Sequence, residues 1–195
     1  ISVALHMVRQ SGFKRGESAL VLGAGCIGII VAVWLSMLGA STVMLAGRSR
    51  ESLLTARKVG LSDTVGVSES DFVDIEDFDH CYEASGSNDA LLYAINKIRK
   101  KGVVTLLGRG TGPTNIPLEV FEKFMRKEGI IKGCWGYHVP ESEKNVIREV
   151  LQDSRMNLLP MVTKEIELES GGTQIRNMFD KKEYYCKVMF NLQGD

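Results

Sequence analysis

The stretch Ser18–Gly47, SALVLGAGCIGIIVAVWLSMLGASTVMLAG, contains no Asp, Glu, Lys or Arg, and its reading decides the fold. An uncharged run of this length could span a bilayer as a helix. The glycines assign it differently. Gly23, Gly25 and Gly28 follow the apolar run Ser18–Leu22 with G-x-G-x-x-G spacing, the spacing that leads from a buried strand into a helix in a dinucleotide-binding βαβ unit. The first glycine permits the sharp turn, the second leaves the backbone bare for a pyrophosphate, and the third lets the helix lie close on the strand. Gly39 stands just past a helix expected from Cys26 to Leu38, and Ser41–Ala46 reads as a second apolar strand. Strands buried on both faces are apolar throughout, and so is a helix in the crevice of such a sheet. The missing charges therefore need no membrane.

Composition agrees with a soluble globular protein. The chain has 195 residues, 44% hydrophobic and 25% charged, which is one large domain or one and a half at roughly 100 to 200 residues per domain. Lys+Arg and Asp+Glu balance at 24 each, so nothing points to a polyanionic partner such as nucleic acid. The basic run Lys97–Lys101 falls where a helix end is expected, and cations favoured by the helix dipole account for it. Cys26, Cys81, Cys134 and Cys186 are far apart and make no C-x-x-C pair. They read as buried thiols in a reducing cytosol, neither a disulfide frame nor a zinc lobe, and a cytoplasmic location is expected. The sequence begins with Ile in what reads as mid-helix, without a basic leader or a cleavage site, which suggests a fragment.

In order along the chain, Ile1–Arg9 reads as a helix with Ile1, Ala4, Leu5 and Val8 on one face, and Gly12 and Gly16 flank a turn before the first strand. Past the second strand, Ser49 can cap a helix over Glu51–Val59 that Gly60 closes. A third strand, Thr64–Val67, precedes an acidic segment, Glu69–Asp79, that is short for a crossover. Cys81–Ala84 reads as the fourth strand, Asn88–Lys100 as a helix ending at Gly102, and Val103–Leu107 as the fifth strand. A glycine-rich loop, Gly108–Pro117, leads to a helix over Leu118–Lys127 and a sixth strand, Ile130–Trp135. Alternating strand and helix predicts an α/β protein with a Rossmann-type, doubly wound parallel sheet of six strands. Beyond Tyr137 the rhythm changes to a helix (Glu141–Gln152), an extended segment (Pro160–Leu168), a helix (Thr173–Asp180) and a last strand (Lys187–Leu192), an α+β extension. The expected division is a linking helix over 1–16, a dinucleotide-binding domain over 17–137 and a C-terminal segment over 138–195.

The end of the second strand bears on which nucleotide binds. NAD binders carry a carboxylate there, about 20 residues past the glycines, for the adenosine ribose hydroxyls. Here the place is Gly47, followed by Arg48, Ser49 and Arg50. A carboxylate would repel a 2′-phosphate, whereas arginine can pair one bidentately. NADP is thus favoured over NAD. The alternative is that Arg48 and Arg50 are solvated residues at a helix start, although cations are not what a helix N-terminus prefers.

These residues carry a family resemblance. The series ISVALH, GESALVLGAGCIG, VMLAGRSR, CYEASGS, GVVTLLGRG, FMRKEGIIKGCWGY, PMVT and CKVMF resembles the zinc-dependent medium-chain alcohol and polyol dehydrogenases, and among them the sorbitol and galactitol-phosphate dehydrogenase branch. The resemblance covers nearly the whole chain. It implies hydride transfer between NADP and a secondary alcohol or sugar alcohol, with catalytic zinc polarising the alcohol oxygen. It places Gly23, Gly25, Cys26, Ile27 and Gly28 on the pyrophosphate, Gly47, Arg48 and Ser49 at the adenosine ribose, and Ser85 towards the nicotinamide side. It places Leu107 and Cys134 on the carboxamide through their backbones and Lys187 near the pyrophosphate, while core packing and a solvated strand end explain these three equally well.

The resemblance also sets limits. The family's first half, which carries the catalytic zinc ligands, has no counterpart in this sequence, and His6, His80 and His138 show no metal-ligand spacing. No zinc and no turnover are expected of this chain alone. Family members dimerise near the sixth strand, so a homo-oligomer, dimer or tetramer, is expected. The segment from Pro160 onwards, which in the family packs on the missing half, could dock on the sheet domain, pair with another copy or be loosely held. Two other classes are compatible with the glycine turn: an NAD(P)-sensing module without catalysis, and a methyltransferase, which usually has an acidic residue where Gly47 stands.

Overall fold

Strand β1 (Ser18–Leu22) is buried along its whole length, and its uncharged sequence places it at the centre of a sheet. The glycine turn leads into α2 (Cys26–Met37), and β2 (Thr42–Gly47) returns parallel to β1 with Ser18 opposite Thr42 and Leu22 opposite Ala46. Helix α3 (Arg50–Val59) and β3 (Thr64–Gly66) extend that side. The chain then pairs with the other edge of β1 through β4 (Phe78–Glu83) and continues by α4 (Asn88–Lys97), β5 (Ile98–Leu106), α5 (Leu118–Arg126) and β6 (Ile130–Gly133). All five pairings are parallel, and the strand order is β3-β2-β1-β4-β5-β6. This is the expected doubly wound Rossmann order, and it reverses at β1, where such sheets bind ligands beyond the carboxyl ends of their strands.

The computed structural model describes residues 1–66, 77–110, 112–136, 140–153, 157–180 and 182–192. Val67 at the end of the expected third strand, residues 69–76 of the acidic segment, and His138 lie outside the described residues.

Helix α1 (Ser2–Ser11) joins α2 on one face of the sheet, where Leu5, Met7, Val8, Val21, Ile29 and Trp34 form one apolar cluster. Trp34 is fully buried and its Nε1 donates to the Ile1 carbonyl at 3.2 Å, which ties the start of the chain to α2. The opposite face buries Leu20, Cys81, Leu91, Ile95 and Ile98. With apolar residues packed on both sides, the uncharged stretch is satisfied inside the protein. Among the described residues no helix is long and apolar enough to cross a membrane.

The basic run Lys97–Lys101 differs from expectation. Helix α4 stops at Lys97, and Ile98 already begins β5, so Arg99, Lys100 and Lys101 lie on a strand and not at a helix end. Two interactions explain the early stop. Lys127 Nζ donates to the carbonyls of Asn96 and Ile98 at 2.6 and 2.5 Å, satisfying groups that a further helical turn would have used. Arg99 donates to the Asp77 carbonyl and pairs with Asp79 at 3.2 Å. The fourth strand likewise begins earlier than its apolar residues suggest, because Asp79 accepts from both the N–H and the hydroxyl of Ser18 at 2.8 Å. The sixth strand stops at Gly133, short of the expected Trp135.

The C-terminal segment consists of α6 (Glu141–Gln152), β7 (Val162–Glu167), α7 (Gly171–Phe179) and β8 (Lys187–Asn191), with single 3-10 turns at Leu159–Met161 and Leu168–Ser170. Strands β7 and β8 pair parallel. Of the three arrangements open to it, the structure shows docking on the sheet domain. Met161 enters the core beside α3, Asn157 N–H donates to the Val59 carbonyl at 3.1 Å, and Tyr184 donates to Thr55 Oγ1 at 3.0 Å.

Candidate functional site

The turn between β1 and α2 is shaped by contacts that a side chain would break. Gly23 has φ +113, and a Cβ there would lie 2.9 Å from the backbone nitrogen of Ser85. Gly28 is tighter, since its Cβ would stand 1.8 Å from the Gly23 carbonyl oxygen. Gly25 is the opposite case: it caps α2 in extended geometry, is exposed, and a Cβ would meet nothing within 4 Å. Two glycines therefore bring backbone against backbone, and the third leaves open space in front of a helix end.

The first intrahelical bond of α2 runs from Ile29 N–H to the Gly25 carbonyl at 3.0 Å. The N–H groups of Cys26, Ile27 and Gly28 thus point out of the helix end, where the partial positive charge of the dipole favours an anion. No acidic side chain occupies the first turn. This is a donor set and a bare approach that fit a pyrophosphate.

Beside the turn lies a cavity of about 450 Å³ whose lining includes Gly23, Gly47, Arg48, Ser85, Asp89 and Tyr93. It opens above the carboxyl ends of β1 and β2 and the turn after β4, at the place where the sheet order reverses. Burial pushes the Tyr93 phenol up, so it stays protonated and able to donate. Ser85 lines this cavity together with Gly47 and Arg48.

Gly47 proves to be constrained by packing. A Cβ at this position would stand 2.5 Å from Ala24 Cβ and 3.2 Å from Leu53 Cδ2, so any side chain there, a carboxylate included, requires the glycine turn to shift. Arg48 lines the cavity and is exposed; Ser49 and Arg50 are not among its lining residues. Ser49 is engaged as the cap of α3: its Oγ accepts from Ser52 N–H at 3.2 Å and donates to Glu51 Oε2 at 2.7 Å. That hydroxyl, ahead of the backbone and Arg50, holds the Glu51 carboxyl below the usual range. Arg50 acts on this exposed carboxylate, and Arg48 shares the cavity lining with Asp89.

The remaining expected site residues fall on the other side of the turn. Leu107 N–H donates to the Glu83 carbonyl at 3.0 Å and Cys134 N–H to the Leu106 carbonyl at 2.8 Å, so only their carbonyls are left for a carboxamide. Lys187 opens β8. The four cysteines divide into two kinds. Cys81 and Cys134 are buried as expected, whereas Cys26 and Cys186 are only half-buried.

Glu83 has no place in the expected site, yet it builds one wall of it. This carboxylate is 3% exposed at the end of β4. Its Oε1 accepts from Ser85 N–H (2.8 Å), Ser85 Oγ (2.6 Å) and Gly86 N–H (2.9 Å), folding the chain into the turn that lines the cavity. The available signal was a single charge at the end of an otherwise buried strand, CYE, followed by small turn residues.

Among the described residues no three His, Cys, Asp or Glu side chains group so as to hold a metal ion. His80 Nε2 is instead bonded to Glu17 at 2.8 Å beneath the sheet.

A family model described as "Zinc-binding dehydrogenase" matches residues 26–152. The chain belongs to the zinc-binding dehydrogenase family. Among curated relatives, the (R,R)-butanediol dehydrogenase of Saccharomyces cerevisiae is 27% identical over 97% of this chain and 52% of its own length. The sorbitol dehydrogenase of Macaca fascicularis is 26% identical over 88% of this chain and 49% of its own. The crystal structure of galactitol-1-phosphate dehydrogenase from Escherichia coli superposes with a TM-score of 0.82 at 22% identity, covering 96% of this chain and 57% of that one. The chain spans about half the length of the curated zinc-binding dehydrogenases it matches. Both named branches of the resemblance, sorbitol and galactitol phosphate, recur among these zinc-binding dehydrogenases, and the Rossmann sheet is the part shared with them.

Proposed function

We propose that this chain is the dinucleotide-binding portion of a zinc-dependent alcohol or polyol dehydrogenase and that it takes NADP in preference to NAD. The observation that carries the reading is the bare helix end at Gly25 opening beside a cavity that Arg48 lines. Bound there, the nicotinamide would accept or donate hydride from a secondary alcohol or sugar alcohol, phosphorylated ones included. The chain's own residues hold and orient it. The α2 N–H groups receive the pyrophosphate, Gly47 clears the space under the ribose, and Arg48 with Arg50 offers guanidinium N–H groups to a 2′-phosphate. Tyr93 presents its hydroxyl to the adenosine side, Ser85 lines the same cavity with its hydroxyl held on Glu83, the Leu107 and Cys134 carbonyls face the carboxamide, and Lys187 neutralises pyrophosphate charge.

The division into a linking helix over 1–16, a nucleotide domain over 17–137 and a returning segment over 138–195 belongs to the same reading. So do a cytoplasmic location and a homo-oligomer. The open edge of β6, with Ile130 and Ile131 exposed, supports association, because an unpaired apolar strand edge invites a partner.

Titration calorimetry with NADPH and NADH tests the nucleotide. Charge-assisted hydrogen bonds contribute about 1.5–3 kcal/mol, so NADPH is expected to bind about tenfold to a hundredfold more tightly, and Arg48→Ala to remove most of that difference. Equal affinities would sink the preference for NADP while leaving the dinucleotide site in place. Metal analysis tests the zinc reading: the purified chain is expected to carry no stoichiometric zinc and to oxidise no alcohol. Bound zinc or turnover would show that the chemistry does not depend on residues beyond these 195.

A further inference from the structure

The turn after β4 and the chain leaving β5 run backbone against backbone beyond the carboxyl ends of those strands. The Glu83 carbonyl accepts from both Leu107 N–H and Gly108 N–H at 3.0 Å. A Cβ on Gly108 would run into Gly86 N and the Glu83 carboxylate, and one on Gly86 would run into the Arg109 carbonyl, so no side chain fits between the two segments. A second tie lies further on. Asn88, the first residue of α4, donates from Nδ2 to the Asn115 carbonyl at 3.1 Å, and Asn115 N–H donates to Asn88 Oδ1 at 3.0 Å. One side-chain amide thus takes both backbone groups of a distant residue, as the two members of a hydrogen-bonded antiparallel pair do for each other.

The two sides of this clamp are held unequally. Helix α4 is anchored by Leu91, Ala94 and Ile95, all buried in the core, so Asn88 belongs to a fixed element. Asp89 and Tyr93 of the same helix line the cavity beside Arg48. Asn115 is exposed, and its neighbour Ile116 is only partly buried. The chain that Asn115 belongs to starts at Leu107, whose carbonyl is left for the carboxamide. A segment already held in its binding geometry spares the ordering entropy that would otherwise be lost when the ligand arrives.

We propose that Asn88 is a positioning residue for the nicotinamide half of the dinucleotide: by holding both backbone groups of Asn115 it fixes the segment after β5, and with it the Leu107 carbonyl. The inference rests on the dinucleotide reading above. The adenosine half meets Gly47, Arg48 and Tyr93, none of which depends on Asn115, and binds without help from the clamp. Loss of the clamp therefore weakens ligands that reach Leu107 and spares those that end in the adenosine cavity. A residue that merely stabilised the fold would weaken both kinds alike, or neither.

Titration calorimetry of the full chain with NADPH and with 2′,5′-ADP, which lacks the nicotinamide, reads this split. Asn88→Ala is expected to weaken NADPH about threefold to tenfold, the scale of one neutral hydrogen bond, and to leave 2′,5′-ADP nearly unchanged. Asn88→Asp keeps the acceptor for Asn115 N–H and loses only the donor, so its NADPH affinity is expected to fall between the two. NADPH affinity unchanged in Asn88→Ala, or both ligands weakened by the same factor, overturns the proposal. Amide hydrogen exchange without any ligand tests the clamp itself. Asn115 N–H is expected to exchange about tenfold faster in Asn88→Ala while the amides of α4 keep their rates, and an unchanged Asn115 rate overturns the proposal as well. An unaltered protein that binds neither NADPH nor 2′,5′-ADP would instead remove the dinucleotide reading, and this proposal with it, so the two failures are distinct.

Discussion

Gly28→Ala is expected to lower the melting temperature by about 5–10 °C, whereas Gly25→Ala, three residues earlier, is expected to leave it nearly unchanged. At position 28 the new methyl would stand 1.8 Å from a backbone carbonyl oxygen, which cannot rotate away. Overpacking of this kind costs about 1–3 kcal/mol or more, and the gain in helix propensity, at most about 1 kcal/mol, does not offset it. At position 25 the methyl enters open space with φ −79. A slightly poorer cap and a less flexible unfolded chain then nearly cancel, each amounting to about 0.5 kcal/mol. The same methyl stands where a pyrophosphate would approach, so Gly25→Ala is expected to weaken dinucleotide binding about tenfold or more by displacing at least one charge-assisted hydrogen bond. Calorimetric melting and nucleotide titration of the two variants separate the effects. A Gly25→Ala protein that binds nucleotide normally would remove the pyrophosphate from this turn.

The second large effect belongs to Glu83. Glu83→Ala is expected to destabilise the protein by about 3 kcal/mol, because it removes a buried carboxylate that accepts from two backbone N–H groups and a hydroxyl of a half-buried turn. The melting temperature is then expected to fall by about 10 °C. Glu83→Gln keeps one oxygen in place and is expected to recover more than half of that loss. Both variants melting like the unaltered protein would mean that the Ser85–Gly86 turn is held by something other than this carboxylate.

The strand, glycine turn, helix and second strand were legible because each residue there has one mechanical task, and the tasks occur at fixed spacing. What stayed hidden depends on distant parts of the chain. The stop at Lys97 is set by Lys127, thirty positions away in a later turn, and the early start of β4 by Ser18. Helical pattern in Asn88–Lys100 cannot register either. At the site, Gly47 was read as a vacancy left for a phosphate, and the structure adds a second reason for it, the methyl of Ala24. Glu83 looked like an isolated charge because the three donors it gathers come after it and carry no charge themselves.

The contact between positions 24 and 47 links two residues that any change of nucleotide would have to treat together. An aspartate installed at 47 alone would have its Cβ inside the shell of the Ala24 methyl, 2.5 Å away. A carboxylate at 47 therefore involves position 24 as well, because the Ala24 methyl and the turn that carries it must move to admit any Cβ there. A designer who alters position 47 changes the packing of the glycine turn and the charge beside the cavity in a single step.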